Sequence, residues 1–405
     1  MTIQTVSAAS GAEALSNSVR TRYVNEYWRG AMMARLYDQL AMPIAQDMSR
    51  VARGSSVQVN FLSDMEPGTS AISEVVDITP QSLSDATASI TPTSRGEALQ
   101  GSELLMLQAY TNYGAERYYA VGRNMMESVD ILARDAATKG DWVKRTVARA
   151  SLDAGTSTHN ASDALFSDVS TMFATAKAPG FETRMGPAWA AIMHPAVYHD
   201  IREEGNVVAV AQYQNAEIIL NHELGALGPF RLVVSPWAKV FGGAGLDNDD
   251  VIATTLASAV SALDHTMNLS TDIHIDSSMN QWWTIGTEET DSTHYPTNER
   301  VYAVSYSGSI VTIIGEAGNS GFRFDHAAGA GVRNADSVYT IVFGGPKSLA
   351  KVYQPSIGEY GQPVGPKKDG ILDQFWTLGW KFYGGYSIMS QNRILRAEVT
   401  ADSDS

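Results

Sequence analysis

The sequence predicts an α+β fold in which a long extended arm precedes one dominant helix and a strand-rich remainder. Three observations predict it. Residues 55–99 hold one alternating run and little apolar content, residues 112–139 carry helical periodicity throughout, and from Pro187 short strand-like runs alternate with short helical ones.

The arm opens with Val57-Gln58-Val59-Asn60-Phe61, a strand with a single apolar face. From Asp64 to Glu97, 16 of 34 residues are Ser, Thr, Pro or Gly, and the large apolar ones are Met65, Ile72, Val75, Val76, Ile78, Leu83 and Ile90. A loop of this length without its own core usually has a task, and a lone two-stranded arm is marginal in water. The support expected for it is a second copy of the chain. Pro67-Gly68 marks a turn, and Pro80 and Pro92 suit edge or turn positions.

Before the arm, 1–22 reads as a flexible segment. Residues 26–41 read as a helix with Trp28, Met32, Leu36 and Leu40 on one face, ended by Pro43. After it, 112–139 is the strongest helix, a spine about 42 Å long at 1.5 Å per residue. Tyr118, Val121, Met125, Val129, Leu132 and Ala136 share its apolar face, Asn112 can cap its start, and Gly140 sits where a C-terminal glycine belongs. A second helix is expected over 161–176 and a third from Pro195 to about 204. Strands are expected at 188–193, 230–234, 341–343, 375–389 and 393–399, with 281–285, 301–306 and 310–315 forming a separate β-rich subdomain.

The chain has 405 residues, enough for two or three domains, with 44% hydrophobic and 18% charged residues. It has no cysteine, which excludes disulfides and cysteine-ligated metal. Residues 1–17 lack the basic and apolar regions of a secretory signal, and no run approaches the roughly 18 apolar residues of a membrane span, so a cytoplasmic product with no membrane partner is expected. The formal charge of −15 argues against a basic nucleic-acid grip. Residues 246–325 hold 12 acidic side chains against Arg300 and Arg323, whereas Arg20, Arg22, Arg29, Arg35, Arg50 and Arg53 outnumber Glu26, Asp38 and Asp47 near the start. Such asymmetry suggests two surfaces with different neighbours.

Several clusters carry residue types that can do chemistry. Asp272, His274 and Asp276 alternate on one strand face, but without a fourth ligand they read as a solvated polar face. Glu288, Glu289, Asp291 and His294 read as a charged loop rather than a glycosidase pair. Asp247, Asn248, Asp249 and Asp250 after a glycine run lack EF-hand spacing. Gly344-Gly345-Pro346-Lys347-Ser348 is rejected as a phosphate loop, because its spacing is wrong and Pro346 removes an N–H donor. His194, before Pro195, reads as a satisfied buried or capping histidine. No catalytic residue, cofactor or metal is expected.

Four collinear stretches carry a resemblance to a known family. They are Glu74-Val75-Val76-Asp77-Ile78-Thr79-Pro80 with Ile90-Thr91-Pro92-Thr93 and Glu97-Ala98-Leu99; Val129-Asp130-Ile131-Leu132-Ala133-Arg134-Asp135; Ile192-Met193-His194-Pro195 with Gly225 and Gly228-Pro229-Phe230-Arg231-Leu232-Val233-Val234; and Asp373-Gln374-Phe375-Trp376-Thr377-Leu378-Gly379-Trp380-Lys381 with Asn392-Arg393-Ile394-Leu395-Arg396. Together they resemble the major capsid protein of tailed bacteriophages with the Hong-Kong-97-type fold, in the branch named after the coli podovirus N-four. The matches span about 25–245 and 335–400, leaving 246–325 as an insertion.

The resemblance implies an N-terminal arm and helix (1–54), an extended loop (55–101), a peripheral domain with the spine helix (102–186), an axial domain (187–245 and 326–405) and the acidic insertion (246–325). It implies a structural subunit, not an enzyme, that assembles into hexamers and pentamers of an icosahedral head around double-stranded DNA, in the host cytoplasm and then the virion. Implied partners are a portal protein, a separate scaffolding protein and a decoration protein. Val57, Val59, Phe61, Ile72, Val76, Ile78 and Ile90 would then meet a neighbouring subunit, while Tyr118, Val121, Met125, Val129 and Leu132 pack the spine. No lysine precedes Lys139, so the covalent lysine weld of some relatives is unavailable to the loop. An encapsulin-like compartment shell is the alternative, and a β-rich hydrolase a remoter one.

Overall fold

The computed structural model describes residues 27–29, 31, 35–45, 56–62, 80, 82, 85–102, 113–146, 161–175, 189–203, 208–209, 223–241, 253–271, 282–286, 297–315, 321–333, 338–345, 347–369, 375–389 and 391–401. Helical residues at Tyr27–Arg29 and Ala31 precede a short 3-10 helix, Tyr37–Leu40, and β1 (Ala41–Ala45). β2 (Val57–Leu62), β3 (Asp85–Ile90) and β4 (Thr93–Ser102) lead to the spine helix α1 (Tyr113–Ala137). Then come β5 (Val143–Arg145), α2 (Asp163–Thr175), β6 (Trp189–Met193), α3 (Pro195–Glu203), β7 (Val208–Ala209), β8 (Glu223–Leu227), β9 (Phe230–Val234) and β10 (Val240–Phe241). β11 (Ala253–Thr255), β12 (Thr266–Asn268), β13 (Trp282–Gly286), β14 (Glu299–Ser307), β15 (Ile310–Gly315) and β16 (Gly331–Arg333) form one group. β17 (Val338–Gly344), β18 (Leu349–Tyr353), β19 (Gln362–Asp369), β20 (Phe375–Ile388) and β21 (Ile394–Val399) close the described chain.

These strands make four sheets. The first has the order β1-β18-β20-β19, with β4 paired along β20. The second runs β5-β21-β17-β6-β9-β8-β7, with β10 on β17. The third, β11-β16-β13-β14-β15-β12, is the acidic insertion, and β2-β3 is a separate hairpin. The spine helix joins the first two. Its body lies on Trp376, Leu378, Trp380 and Phe382 of β20, and its end, through Ala133, Ala136 and Ala137, lies on Ala190, Ile192 and Val342 of the second sheet. The opposite face of that sheet carries an aromatic cluster: Phe166 and Phe173 of α2 pack on Phe230, Phe343 and Trp189 at ring separations of 5.1–6.4 Å. Every residue of β17 is consequently buried, with Ile341 and Phe343 toward α2 and Val342 toward the spine.

The insertion is a true excursion from a hairpin. β10 and β17 pair antiparallel, Val240 with Tyr339 and Phe241 with Val338, so the chain leaves and returns at adjacent positions. The sheet between them is a closed hydrophobic unit around Trp283, Phe322, Val301 and Ile313. β13, β14 and β15 fall where alternation predicts them; β11, β12 and β16 are additional, and β16, pairing with both β11 and β13, carries the sheet past the expected bound at 325 to Arg333.

Several expectations are corrected. The helix expected over 26–41 is not continuous: Leu36 leaves the helical region (φ −126°, ψ −70°) and Ala41 is extended. Pro43 lies inside β1, an edge strand parallel to β18, where its missing N–H costs no ladder bond. The apolar stripe therefore divides, Trp28 packing with the β20 core and Leu36 and Leu40 with the second-sheet core. Gly140 is not a left-handed cap. The Thr138 hydroxyl instead donates to the Arg134 and Asp135 carbonyls, and Gly140 leaves room for Gln391 and Ile388, 3.3 Å from where a Cβ would stand. Finally, 93–102 is a strand integral to the first sheet, in unbroken register with β20 from Thr93↔Gly384 to Ser102↔Phe375.

Candidate assembly surfaces

The extended arm begins as the alternating run demands. β2 pairs antiparallel with β3, Val57 opposite Ile90, Val59 opposite Ala88 and Phe61 opposite Ala86. Val57, Ala88 and Ile90 point to one buried face, while Gln58, Asn60 and Ser89 are exposed. That face rests on Ala350 and Val352 of β18, with Ile44 and Val59 partly covered beside them. The support expected from another copy is thus supplied, at the base of the arm, by the same chain. Ile72, Val76 and Ile78 lie outside the described residues.

The spine-helix residues come together as a seam. Tyr118, Val121, Met125 and Val129 are buried against Trp376, Leu378, Trp380 and Phe382, and Leu132 packs at the margin. The aromatic edges are held by polar contacts. Trp380 Nε1 donates to Asn124 Oδ1 at 2.8 Å, and the Arg117 guanidinium lies 3.5 Å from the Trp376 ring centroid. The first segment crosses this helix at Gly122, where a Cβ would stand 2.0 Å from the Tyr27 carbonyl oxygen. Tyr27 is fully buried there, its hydroxyl 2.6 Å from Met125 Sδ, and burial raises its pKa.

A buried polar junction locks the first segment, the spine and the β18–β20 sheet together. Asp38 accepts hydrogen bonds from Lys351 Nζ (2.7 Å), Tyr386 Oη (2.6 Å) and Arg35 Nε (2.7 Å). Its side chain and that of Lys351 are 0% and 1% exposed. Burial opposes ionisation of Asp38, but Lys351 and Arg35 outweigh it and hold the carboxyl below its ordinary value. Asp130 sits next to it on the spine and accepts the backbone N–H groups of Leu36 and Asp38, each at 2.9 Å. These bonds take the donors that a helix through residue 36 would need, which is why the helix breaks there. Among the described residues no cation is paired with Asp130, and burial, against those N–H bonds, pushes its pKa to about 7.

A second junction ties the insertion to the spine. Asp135 accepts Arg134 Nη2 at 2.9 Å and Arg323 Nη2 at 2.5 Å. Burial raises its pKa, but Arg134, Arg323 and Lys239 hold it well below the carboxylate range. Arg323 is placed by Glu299, whose buried carboxylate accepts the N–H of Arg323 at 2.9 Å and of Phe324 at 3.2 Å and meets His326 Nε2 at 2.8 Å.

His194 is the capping histidine the sequence predicts. Its Nδ1 accepts the Ala196 N–H at 3.2 Å at the start of α3, and burial, aided by Arg300, lowers its pKa to about 4. Gly344 ends β17 and Leu349 opens β18, a strand and not the helix that follows a phosphate loop. The clusters at 247–250, 272–276 and 288–294 lie outside the described residues.

Periodicity did not single out Asp38, Asp130, Asp135, Lys351, Arg323 or Tyr386. One signal was available: Asp130 falls on the same buried stripe as Met126, Ala133 and Ala137, an apolar face interrupted by a carboxylate.

No protein-family model matches the chain, and no curated protein matches it. Solved structures do. The capsid of Ralstonia phage GP4 superposes with a TM-score of 0.53 at 10% identity, over 89% of this chain and 87% of that one. The capsid of cyanophage Pam1 gives 0.46 at 11% identity over all of both chains, and the SrpI encapsulin of Synechococcus elongatus gives 0.40 at 8% over 97% and 92%. The Ralstonia phage match carries the assignment: the chain has a phage-capsid fold, as the α+β reading and its motifs led one to expect.

Proposed function

We propose that this protein is the structural coat subunit of a tailed-phage head, in the N-four-like branch, building an icosahedral shell around double-stranded DNA. The observation that carries the reading is a capsid fold along nearly the whole chain, with the spine helix bridging two sheets and a hairpin arm leaving them. A subunit of this kind works by packing, and its buried ionic junctions serve rigidity rather than turnover. In this reading the subunit meets itself in hexamers and pentamers, a separate scaffolding protein sets curvature, a portal fills one vertex, and an added protein can decorate the shell. The acidic insertion faces outward, away from packaged DNA, because like charges repel across a short aqueous gap. The N-terminal basic residues face inward or toward an acidic neighbour.

Expression of the full chain, alone and with the scaffolding protein of its genome, followed by negative-stain microscopy, tests the reading. Closed shells that hold double-stranded DNA in infected cells support it. Closed shells loaded with an enzyme and free of nucleic acid replace it with the encapsulin-like alternative. A strictly monomeric protein under all conditions refutes both.

A further inference from the structure

β4 has one satisfied edge and one open one. Its ten residues pair with β20, and among the described residues no strand lies on its other side. Thr93 to Gln100 are exposed without alternation. The Ala98 N–H shows where the open edge lies: it donates to the carboxylate of its own Glu97 at 3.2 Å, an exposed local substitute for a ladder bond. By the two-residue alternation of a strand, Ser94 and Gly96 turn their backbone groups the same way.

Proteins usually blunt such an edge with proline, lysine, a bulge or brevity. β4 has no proline, no lysine and no register shift over ten residues. Its sequence is instead complementary to itself. When two copies run antiparallel with Gly96 opposite Gly96, Arg95 stands opposite Glu97 on both sides of the axis, and Thr93 stands opposite Leu99.

We propose that two copies of this chain pair their β4 strands antiparallel about a two-fold axis at Gly96, with reciprocal Arg95–Glu97 contacts. The register agrees with the backbone. Gly96 directs its N–H and C=O outward, so the axial pair exchanges two hydrogen bonds. Arg95 and Glu97 fall at the closer non-hydrogen-bonded positions, about 4.5 Å apart at Cα, where opposite charges interact best. Gly96 also suits the axis, since a Cβ there would stand 2.6 Å from the Trp380 carbonyl oxygen. The charge pairing has a local reason too. Arg95 stands beside Arg323 and Asp135, and desolvation together with Arg323 disfavours its charge. A carboxylate from the second copy offsets that. Leu99, 38% exposed, gains cover from Thr93 across the axis. An isologous contact of this kind forms a closed pair and does not propagate by itself.

The chain contains no cysteine, so a disulfide trap is clean. Thr93→Cys/Leu99→Cys in the full chain places thiols at a non-hydrogen-bonded pair, within disulfide reach. Mild oxidation should give a covalent dimer, with the 93–99 linkage found by peptide mass spectrometry. Either single variant should stay uncrosslinked, because like positions lie about 20 Å apart across the axis. Arg95→Glu or Glu97→Arg added to the double variant should cut dimer yield at least about fivefold, one buried-edge charge contact being of order 1 kcal/mol, and both together should restore it. Three results overturn the proposal: no dimer from the double variant, a ladder of trimers and larger species through these positions, or no rescue by the paired reversal. A strand from elsewhere in the chain or from another protein on this edge would give one of those three. Closed shells that still form when any of these three results is obtained leave the coat-subunit reading intact.

Discussion

The carboxylate of Asp130, in the C-terminal half of the spine helix, accepts the backbone N–H of Asp38 at 2.9 Å, while the side chain of Asp38 turns away to Lys351, Arg35 and Tyr386. Two carboxylates thus share one buried junction with unlike duties. Asp38 takes the cations and stays ionised, and Asp130 holds backbone.

That division sets a pH dependence. Burial raises the folded pKa of Asp130 to about 7. Its unfolded value is that of an ordinary aspartate, about 3.9. The folded state therefore holds a proton that the unfolded chain gives up. Its contribution is fully present below the unfolded pKa and is lost as pH rises through the folded one, so the loss lies between about pH 4 and pH 7. Asp130→Asn keeps a side-chain acceptor for the N–H groups and cannot ionise. Thermal midpoints measured from pH 5 to pH 8 should fall for the native chain and fall less for Asp130→Asn; parallel curves would exclude Asp130 as the titrating group.

The Asp38–Lys351 pair should respond asymmetrically. Removing Lys351 leaves Asp38 with Arg35 and Tyr386. Removing Asp38 leaves the Lys351 ammonium with Glu359 at 3.9 Å and the Tyr360 ring at 4.3 Å. Denaturant titration should show Asp38→Ala losing about 3–5 kcal/mol, the range for stranding a buried charge, and Lys351→Met losing clearly less. Equal losses would mean that Arg35 and Tyr386 do not sustain Asp38 alone.

Gly122→Ala should destabilise the chain although it improves helix propensity. An interior Gly→Ala change gains about 1 kcal/mol in an unobstructed helix. Here the new Cβ would stand 2.0 Å from the Tyr27 carbonyl oxygen and 2.8 Å from its carbon, both backbone atoms that cannot rotate aside. The segment around Tyr27 must lift, and tryptic cleavage after Arg29 should accelerate. An unchanged cleavage rate with raised stability would show that the crossing yields freely.

What the sequence made legible follows from the range of the interactions. The spine helix was readable because Tyr118, Val121, Met125 and Val129 repeat within a few residues, and β2, β14 and β15 because alternation is local. The break at Leu36 was not, since its cause, Asp130, lies 94 positions away. β4 was also hidden: Thr-Ser-Arg-Gly-Glu-Ala-Leu-Gln-Gly-Ser has no apolar alternation, and its strand conformation comes from pairing with β20. The Asp38–Lys351 and Asp135–Arg323 contacts span 313 and 188 positions, beyond any periodic signal. Lys351 did leave a trace, a charge between Ala350 and Val352 in an otherwise apolar strand.

Arg323→Met should loosen the insertion without melting the spine. Asp135 keeps Arg134 and Lys239 nearby, so the helix end retains its counter-charges. The insertion loses a contact that spans the two units, and its own core around Trp283 and Phe322 is untouched. Hydrogen exchange should rise across 253–333 and stay level across Tyr113–Ala137. In intact particles, limited proteolysis should cut first within 246–325 if the insertion faces outward; protection there while other segments are cut would place it inside.

β2 and β3 hold the base of the arm by their own pairing and packing. β2 and β3 close with Leu62 opposite Asp85, and Val57 and Ile90 anchor their base on Ala350 and Val352. Replacing 63–84 by Asn-Gly joins Leu62 to Asp85 through a two-residue hairpin turn that suits the strand twist. The six-residue ladder and its buried face remain, so circular dichroism and the thermal midpoint should be nearly unchanged. Any reach from one subunit to the next through Ile72, Val76 and Ile78 is lost. The arm has no lysine that could form a covalent bond in its place, and closed shells should disappear from electron micrographs. Normal shells from the shortened chain would assign the holding contact to another surface, with the open edge of β4 the first to test.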